Sequence, residues 1–304
     1  MTTSGHRSGY VAIVGRPNVG KSTLLNHILG TKLSIVSFRP QTTRNRILGI
    51  YNQEDAQVVF MDTPGIHEAD SLLNKRMVDQ ATRTLSDVDV VVHLIDPRTE
   101  SDPTEARIEA ISEAKVPVLL VPNKVDLVKK SSLLPLIEGW TRAEAPAAIV
   151  PISALSGDGV AGLLDEVVQR LPESPPFFPK DQLTDASERF VVSEMIRERL
   201  FVHLHQELPY SIAVEIEAFE EPKQKSGVIR ILARIWVERD SQKGIVIGKG
   251  GRVLKQVGTE AREAIERLLQ ARVHLKITVG VDKHWTRKQS SVERRGHFDG
   301  DQRQ

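Results

Sequence analysis

The chain has 304 residues, of which 40% are hydrophobic, 27% are charged and none is cysteine, and its formal net charge is +1. This length favours two domains that each bury a core, and the composition excludes a fibrous or disordered protein. Without cysteine the chain forms neither disulfides nor thiolate metal sites, which fits a reducing compartment. The balanced charge argues against indiscriminate coating of nucleic acid, so any such affinity must come from a local patch.

No apolar stretch approaches the roughly 18 residues that a membrane span needs. The most apolar run, Val88 to Ile95, is broken by Asp89 and His93. The first ten residues, MTTSGHRSGY, contain no apolar core of a secretion signal. We therefore expect a cytoplasmic protein.

Apolar runs alternate with amphipathic segments from Tyr10 to about Leu171. This alternation is typical of a parallel sheet with helices on both faces. The apolar runs predict strands at 10–15, 46–52, 56–62, 88–96, 116–123 and 147–153. The first part of the chain is therefore predicted to have an α/β fold with a mostly parallel sheet.

The pattern changes after the segment 171–185, LPESPPFFPKDQLTD. Its four prolines argue against a helix or a sheet ladder and predict a semi-rigid connector. Beyond it the sequence predicts a helix at about 187–206, strands at 211–219 and 228–237, a short turn, a helix at about 251–270 and a strand at 273–281. This order indicates a second, smaller α+β domain. The polar tail after Trp285 has no periodicity and is predicted to be disordered.

The strand-like YVAIVG leads into GRPNVGKS, residues 15–22, and then into the helical TLLNHILG. A glycine-rich loop between a strand and a helix is typical of a phosphate-binding loop. Its backbone N–H groups face phosphate oxygens at the positive end of the helix. Lys21 adds a cation at the β- and γ-phosphates, and Ser22 offers a hydroxyl to Mg²⁺. The predicted nucleotide contacts here are Gly15, Arg16, Pro17, Asn18, Val19, Gly20, Lys21 and Ser22.

Two further motifs follow strands of the same sheet. Asp62-Thr63-Pro64-Gly65 places a carboxylate near the metal and a glycine N–H near the γ-phosphate. Asn123-Lys124-Val125-Asp126 lies where open α/β sheets bind ligands, and the Asp126 carboxylate can accept from both N1–H and the exocyclic amine of guanine. Elements in this order resemble the translation-factor-like GTPases, which predicts binding of GTP or GDP. The other predicted nucleotide contacts are Asp62, Thr63, Pro64, Gly65, Ile66, Asn123, Lys124, Val125, Ser153 and Ala154.

The resemblance also bears on hydrolysis. FRPQTTRNRI, which begins at Phe38, contains two threonines, one of which is expected to reach Mg²⁺ only when the γ-phosphate is present. Many GTPases orient the attacking water with a glutamine after DTPG, whereas Ile66 stands here, so hydrolysis is expected to need another group, a bound cation or a partner. Asn18 is a candidate for such a group, because related GTPases with an asparagine at this point of the phosphate loop use it to hold K⁺ near the phosphates. The predicted metal ligands are Ser22, Asp62 and Thr42 or Thr43, and the predicted catalytic residues are Asn18, Lys21, Thr42, Thr43 and Gly65.

The run GIVIGKGGRVLKQVGTEAREAIERLLQ, residues 244–270, resembles a KH domain, whose GxxG loop clamps the backbone of single-stranded nucleotides. Glycines let phosphate approach the main chain, and nearby cations add charge. The helix, strand, strand, GxxG, helix, strand order matches the type II KH topology. The predicted RNA contacts are Ile247, Gly248, Lys249, Gly250, Gly251, Arg252 and Lys255, and the apolar floor for bases is predicted to be Ile245, Val246, Ile247 and Val253.

GRPNVGKS, QTTRNR, DTPG and NKVD, followed by VIGKGGRVLK, resemble the Era family of bacterial ribosome-assembly GTPases over residues 9 to 285. The resemblance implies a P-loop GTPase domain at 9–174, a Pro-rich linker at 175–186, a small α+β type II KH domain at 187–285 and a tail at 286–304. It implies a monomeric GTPase that uses Mg²⁺ and binds 16S rRNA near its 3′ end during assembly of the 30S subunit, without binding DNA. Members of this family are also found at the inner face of the membrane, and nothing in this sequence demands or forbids such a peripheral association.

Two alternatives fit the same motifs. The chain could be an RNA-binding chaperone that uses GTP as a structural ligand and scarcely turns it over. It could also be a related GTPase that acts on tRNA or on the large ribosomal subunit. The sequence patterns alone do not separate these functions, because GTPase and KH domains each occur in many proteins.

Overall fold

The computed structural model describes residues 5–34, 47–62, 87–100, 103, 111, 115–204, 208–222, 227–283 and 285–287. The described residues form two compact units, the first ending at Asp185 and the second beginning at Ala186. Among these residues, no helix has both the length and the apolar character that crossing a bilayer requires.

The first unit is built on a six-stranded sheet with the spatial order β2-β3-β1-β4-β5-β6. All neighbouring strands are parallel except β2 and β3, which are antiparallel. The predicted α/β fold with a mostly parallel sheet is therefore confirmed. The strands are β1 (Arg7–Val14), β2 (Ile47–Asn52), β3 (Ala56–Asp62), β4 (Val90–Ile95), β5 (Val118–Pro122) and β6 (Ala148–Ile149).

Apolar side chains cover both faces of this sheet. Alternate residues of β1 enter two different clusters, Val11 and Ile13 on one face and Ala12 and Val14 on the other. Because a strand alternates its side chains, burial on both faces requires apolar residues almost throughout, which explains the continuous apolar runs. The described helices of this unit are α1 (Lys21–Leu29), α2 (Lys130–Glu144) and α3 (Val160–Arg170).

The last strand of the sheet is shorter than the apolar run 147–153 that predicted it. Regular pairing with β5 covers only the two residues of β6. Ile152 nevertheless donates its N–H to the carbonyl of Pro122 at 2.8 Å. The run therefore follows β5 to its carboxyl end and places Ser153 beside the predicted guanine motif.

Residues 172–185, which we call the strap, are bound along the first unit, whereas the sequence predicted a connector. Arg7 forms an antiparallel bridge with Glu173, and Gly49 on β2 forms one with Thr184. The prolines of the strap exclude a continuous ladder, as predicted. The two bridging residues of the strap, Glu173 and Thr184, are not prolines, so their backbone groups remain available for pairing.

Gln57 on β3 fixes the middle of the strap. Its Oε1 accepts hydrogen bonds from the backbone N–H groups of Phe177 and Phe178 at 2.7 and 2.9 Å. Its Nε2 donates to the Phe178 carbonyl and to Asn52 Oδ1, both at 2.8 Å. The side chain is fully buried, and Tyr10 stacks on Phe177 with the ring centroids 5.2 Å apart. One buried amide thus satisfies three backbone groups of the strap.

We expect Gln57→Leu to destabilise the first unit, because it leaves these backbone groups of the strap without partners. A buried unsatisfied polar group costs about 1–3 kcal/mol, so the free energy of unfolding should fall by at least about 2 kcal/mol. The side chain of half-buried Gln53 donates a hydrogen bond to the Tyr51 hydroxyl at 3.3 Å, which leaves no backbone group unpaired when it is lost, so Gln53→Leu should stay within about 0.5 kcal/mol of the original chain. Urea unfolding of both variants measures this, and equal midpoints would contradict the role of Gln57.

The second unit contains a three-stranded sheet, with β7 (Ala213–Glu220), central β8 (Val228–Val237) and β9 (Arg272–Val281). The central strand is antiparallel to β7 and parallel to β9. Every second residue of β8 from Ile229 to Val237 is buried. Helices α4 (Glu188–His203) and α6 (Arg252–Leu269) pack on this sheet. The small α+β domain predicted from the sequence is therefore confirmed.

A helix that the sequence did not predict precedes the GxxG loop. The predicted short turn is α5 (Asp240–Ile247), which begins where Gln242 Oε1 accepts the N–H of Arg239 at 3.0 Å. The β-branched residues and the glycine of this stretch have low helix propensity, and tertiary packing of Val246 overrides that preference. The loop therefore lies between two helices.

Trp285 closes the described part of the second unit. Its ring is fully buried, and its Nε1 donates to the carbonyl of Ser211 at 2.7 Å. Trp285–Arg287 form a 3-10 turn. The rest of the tail predicted to be disordered, residues 288–304, lies outside the described residues.

Candidate functional site

The loop between β1 and α1 curls because three of its residues adopt positive φ. These are Gly15 at 149°, Asn18 at 63° and Gly20 at 110°. A Cβ on Gly20 would lie 2.2 Å from Nδ2 of Asn123, a contact that no real side chain makes. The predicted phosphate loop is therefore packed directly against the predicted guanine motif, and glycine is required at the point of contact.

Lys21 lies inside this loop. The side chain is buried, and its Nζ donates to the carbonyls of Gly15 and Arg16 at 2.9 and 3.0 Å. Burial lowers the pKa of Lys21 from 10.5 to about 8, although the carboxylates of Asp62 and Glu100 act to raise it. A poorly solvated ammonium at the base of a glycine loop is suited to bind phosphate oxygens.

Ser22 and Asp62 bring two oxygen donors together beside the loop. Ser22 Oγ, in the first turn of α1, donates to Asp62 Oδ2 at 2.9 Å, and Asp62 at the end of β3 is fully buried. A hydroxyl and a buried carboxylate are hard oxygen donors, so this pair fits Mg²⁺. The other predicted metal, catalytic and nucleotide contacts of this region, Thr42, Thr43, Thr63, Pro64, Gly65 and Ile66, lie outside the described residues.

Asn123 joins three parts of the predicted nucleotide site. Its Nδ2 donates to the carbonyl of Val19 in the phosphate loop at 2.7 Å, and its Oδ1 accepts the N–H of Ala154 at 2.9 Å. Ser153, next to Ala154, is buried. Asp126 lies on the 3-10 turn Val125–Leu127 and is exposed, so its carboxylate is accessible to a ligand. The structure thus brings together the predicted residues from three separate strands.

Three residues at the carboxyl end of β4 were missed by sequence reasoning. Glu100 is buried, and its Oε2 accepts the N–H of Asp96 at 2.7 Å. Asp96 in turn accepts from Arg98 and from Lys124. No motif marks these residues. The available signal was their position, because β4 lies between β1 and β5 and its carboxyl end faces the ligand edge of the sheet.

The GxxG loop of the second unit forms a turn with three glycines at positive φ, Gly248, Gly250 and Gly251. A Cβ on Gly248 would lie 2.6 Å from Cγ2 of Val253, whereas among the described residues, chain neighbours apart, no heavy atom lies within 4 Å of a Cβ on Gly250 or Gly251. The middle of the loop is therefore open to a ligand. Beside it, Lys249, Arg252 and Lys255 are exposed. Glycine backbone with flanking cations is suited to hold a nucleic-acid backbone.

The predicted apolar floor beside this loop is only partly correct. Val246 is completely buried in the core of the second unit and does not present a surface to bases. It occupies the inner side of α5, which the sequence did not predict as a helix. Ile245 is 56% exposed on that helix, and Ile247 and Val253 are half-buried.

The two units define a P-loop GTPase fold followed by a KH domain. A family model described as 50S ribosome-binding GTPase matches residues 10–124. A KH domain model matches residues 207–286. Among known proteins, GTPase Era of Geotalea uraniireducens is 51% identical over 98% of this chain and all of its own length. GTPase Era of Lacticaseibacillus paracasei is 48% identical over 93% of this chain and 94% of its own.

Two solved structures match nearly the full length of the chain. Era in complex with MgGDPNP and nucleotides 1506–1542 of 16S ribosomal RNA matches with a TM-score of 0.91 and 38% identity, covering 97% of this chain and 100% of that one. A variant of Aquifex aeolicus Era bound to GDP·AlF₄⁻ matches with a TM-score of 0.91 and 38% identity over 96% of this chain and 100% of its own. The chain belongs to the GTPase Era family, and it is an enzyme that hydrolyses GTP.

Proposed function

We propose that this GTPase is a cytoplasmic, monomeric switch that binds the 3′-terminal region of 16S rRNA during assembly of the 30S subunit. The observation that carries the proposal is the open GxxG turn with exposed Lys249, Arg252 and Lys255, in the same chain as the nucleotide site. The solved Era complex with nucleotides 1506–1542 of 16S ribosomal RNA supports this choice of RNA.

In this proposal the phosphates lie against the backbone N–H groups of residues 15–22 and the ammonium of Lys21. Asp126 accepts from guanine, and Asn123 holds the phosphate loop to the base site. Ser22 and Asp62 would hold Mg²⁺ together with a threonine of the QTTRNR segment. When bound, Mg²⁺ neutralises charge on the β- and γ-phosphates.

RNA binding through the GxxG loop is tested by Gly250→Asp, which places a carboxylate where a phosphate would approach. Like charges repel, so RNA affinity should fall by at least about 30-fold, while GTP hydrolysis without RNA stays unchanged. Gly250→Asn is the matched control, since asparagine has the same shape and also tolerates the left-handed conformation. It should bind RNA at least about tenfold more tightly than Gly250→Asp, because it adds no charge.

Fluorescence anisotropy with labelled RNA spanning nucleotides 1506–1542 of 16S rRNA measures these affinities. Transfer RNA and a large-subunit rRNA fragment of equal length serve as competitors. If either competitor displaces the labelled RNA as well as the unlabelled 16S fragment does, the proposed substrate is wrong. Equal affinity of Gly250→Asp and the original chain would show that another surface binds the RNA.

We also propose that Asn18 holds K⁺ beside the phosphates. Asn18 is exposed at the rim of the phosphate loop in a left-handed conformation, with φ of 63°. A fixed cation there stabilises the negative charge that develops in phosphoryl transfer. We expect steady-state GTP hydrolysis to be several-fold faster in potassium than in sodium buffer, and Asn18→Ala to remove that difference. Equal rates in the two buffers would contradict the proposal.

A further inference from the structure

Asp96, the first residue after β4, collects four hydrogen bonds on its carboxylate. Arg98 donates through its backbone N–H at 3.1 Å, its Nε at 3.0 Å and its Nη2 at 2.8 Å. Lys124 Nζ donates at 2.8 Å. Although burial opposes it, these hydrogen bonds hold the pKa of Asp96 far below its ordinary value. Asp96 is therefore a fixed negative charge at neutral pH.

Lys124 connects this charge to the phosphate loop. Its Nζ, which binds Asp96 Oδ2, also donates to the backbone carbonyl of Asn18 at 2.6 Å. The backbone of Lys124 is left-handed, with φ of 63°. That conformation is unfavourable for a residue with a Cβ and persists where surrounding contacts hold it. The two bonds of the ammonium are contacts of this kind.

The conformation of Lys124 sets the position of Asp126, the residue predicted to bind guanine. Lys124 is the residue on which the turn Val125–Leu127 begins, so the direction of its backbone determines where Asp126 points. Arg98 also lies near this carboxylate. The hydrogen bond with Asp96 raises the pKa of Arg98, and the charge of Asp126 contributes to the same shift. Asp96, Arg98 and Lys124 therefore form one hydrogen-bonded cluster at the ligand edge of the sheet, and the charge of Asp126 acts on its Arg98.

We propose that Asp96 is a positioning residue of the guanine-nucleotide site, which holds Lys124 against the phosphate loop and thereby sets the turn that presents Asp126. The proposal rests on the nucleotide site proposed above and concerns its preorganisation. A preformed site binds more tightly because less conformational freedom is lost on binding. Asp96 acts on affinity through Lys124 and has no part in the chemical step.

A double-mutant cycle of Asp96→Ala and Lys124→Ala tests this pathway, with GDP dissociation constants and steady-state GTP hydrolysis as readouts. We expect Asp96→Ala to raise the GDP dissociation constant and the GTP KM by about 30-fold. Its kcat at saturating GTP should stay within about twofold of that of the original chain, because the substitution weakens binding of the substrate and of the transition state equally. In the Lys124→Ala background, adding Asp96→Ala should change GDP affinity by less than about threefold. The proposal would be overturned if the effects of the two substitutions on the free energy of GDP binding were fully additive, or if Asp96→Ala lowered kcat at unchanged KM.

Asp89→Ala is the matched control, because Asp89 precedes β4 at its opposite end. Its carboxylate also accepts a backbone hydrogen bond, from Tyr10 at 2.8 Å. If loss of a carboxylate merely weakens the sheet, both variants should lose nucleotide affinity equally, which would refute the positioning role. Asp96→Asn keeps the size of the side chain and is expected to show an intermediate KM, so the test stands even where Asp96→Ala folds poorly.

The outcome with Lys21→Ala separates this inference from the proposed site itself. If Lys21→Ala loses GDP while Asp96→Ala and Asp96→Asn bind it normally, only the positioning role is wrong. If Lys21→Ala binds GDP normally, the nucleotide site has been placed incorrectly and the inference fails with it.

Discussion

Lys21→Ala is expected to weaken GTP and GDP binding by at least about 100-fold, because removing one partner of a desolvated charge contact costs about 2–5 kcal/mol or more. The buried ammonium also organises the loop through its bonds to the carbonyls of Gly15 and Arg16. Lys129, exposed before α2, provides the control, and Lys129→Ala should bind nucleotide normally. Isothermal titration with GDP measures both variants.

The lowered pKa of Lys21 adds a pH dependence to this prediction. Without nucleotide the group loses its proton as pH rises through about 8, and phosphate favours the protonated form. GDP affinity should therefore fall above pH 8, by up to about tenfold per unit. Between pH 8 and the ordinary pKa of 10.5 the unfolded chain binds more protons at this group, so its contribution to stability rises with pH. A GDP affinity that is constant from pH 7 to 9 would contradict a charged Lys21 at the phosphates.

Asp126→Asn is expected to shift base preference from guanine to xanthine. A carboxylate accepts two hydrogen bonds from N1–H and the exocyclic amine of guanine, whereas an amide has one donor and one acceptor and matches the N1–H and O2 of xanthine. Sites built on such hydrogen bonds reject the mismatched ligand by about 10⁴-fold when buried groups are left unpaired. Because Asp126 is exposed in the described structure, we expect a smaller loss of GDP affinity, by at least about 100-fold.

Competition between labelled GDP and unlabelled XDP measures this preference directly. Asp165→Asn, an exposed carboxylate on α3, makes the same chemical change away from the site and should keep the preference for guanine. If Asp126→Asn still prefers GDP to XDP, another residue determines the base specificity.

The sequence predicted those features that depend on local pattern. Two-sided burial forces apolar residues along each parallel strand, so β1, β3, β4 and β5 were visible as continuous runs. Glycine motifs at the ends of β1 and α5 were visible because positive φ at Gly20 and Gly248 restricts these positions to glycine. Asn123 and Ala154 were both predicted nucleotide contacts that follow strands of the same sheet, and a hydrogen bond joins them in the structure.

The features that the sequence did not predict depend on distant partners. In the sequence Gln57 is one polar residue within a strand. Three of its hydrogen bonds are to the strap, more than 100 residues further along the chain. Asp96 acquires its importance from Lys124, which no fixed spacing connects to it. The helix α5 contradicts its local preferences and forms because Val246 reaches the core. Such tertiary effects override propensity and leave no periodic signal.

The coupling between the nucleotide site and the RNA site tests most directly whether GTP binding controls the RNA affinity of this chain. RNA affinity should be measured with the protein saturated by a non-hydrolysable GTP analogue and by GDP, and analogue affinity with and without the 16S fragment. A switch requires the analogue to tighten RNA binding by about fivefold or more, and RNA to tighten analogue binding by the same factor. RNA affinities that are identical in the two nucleotide states would contradict the account.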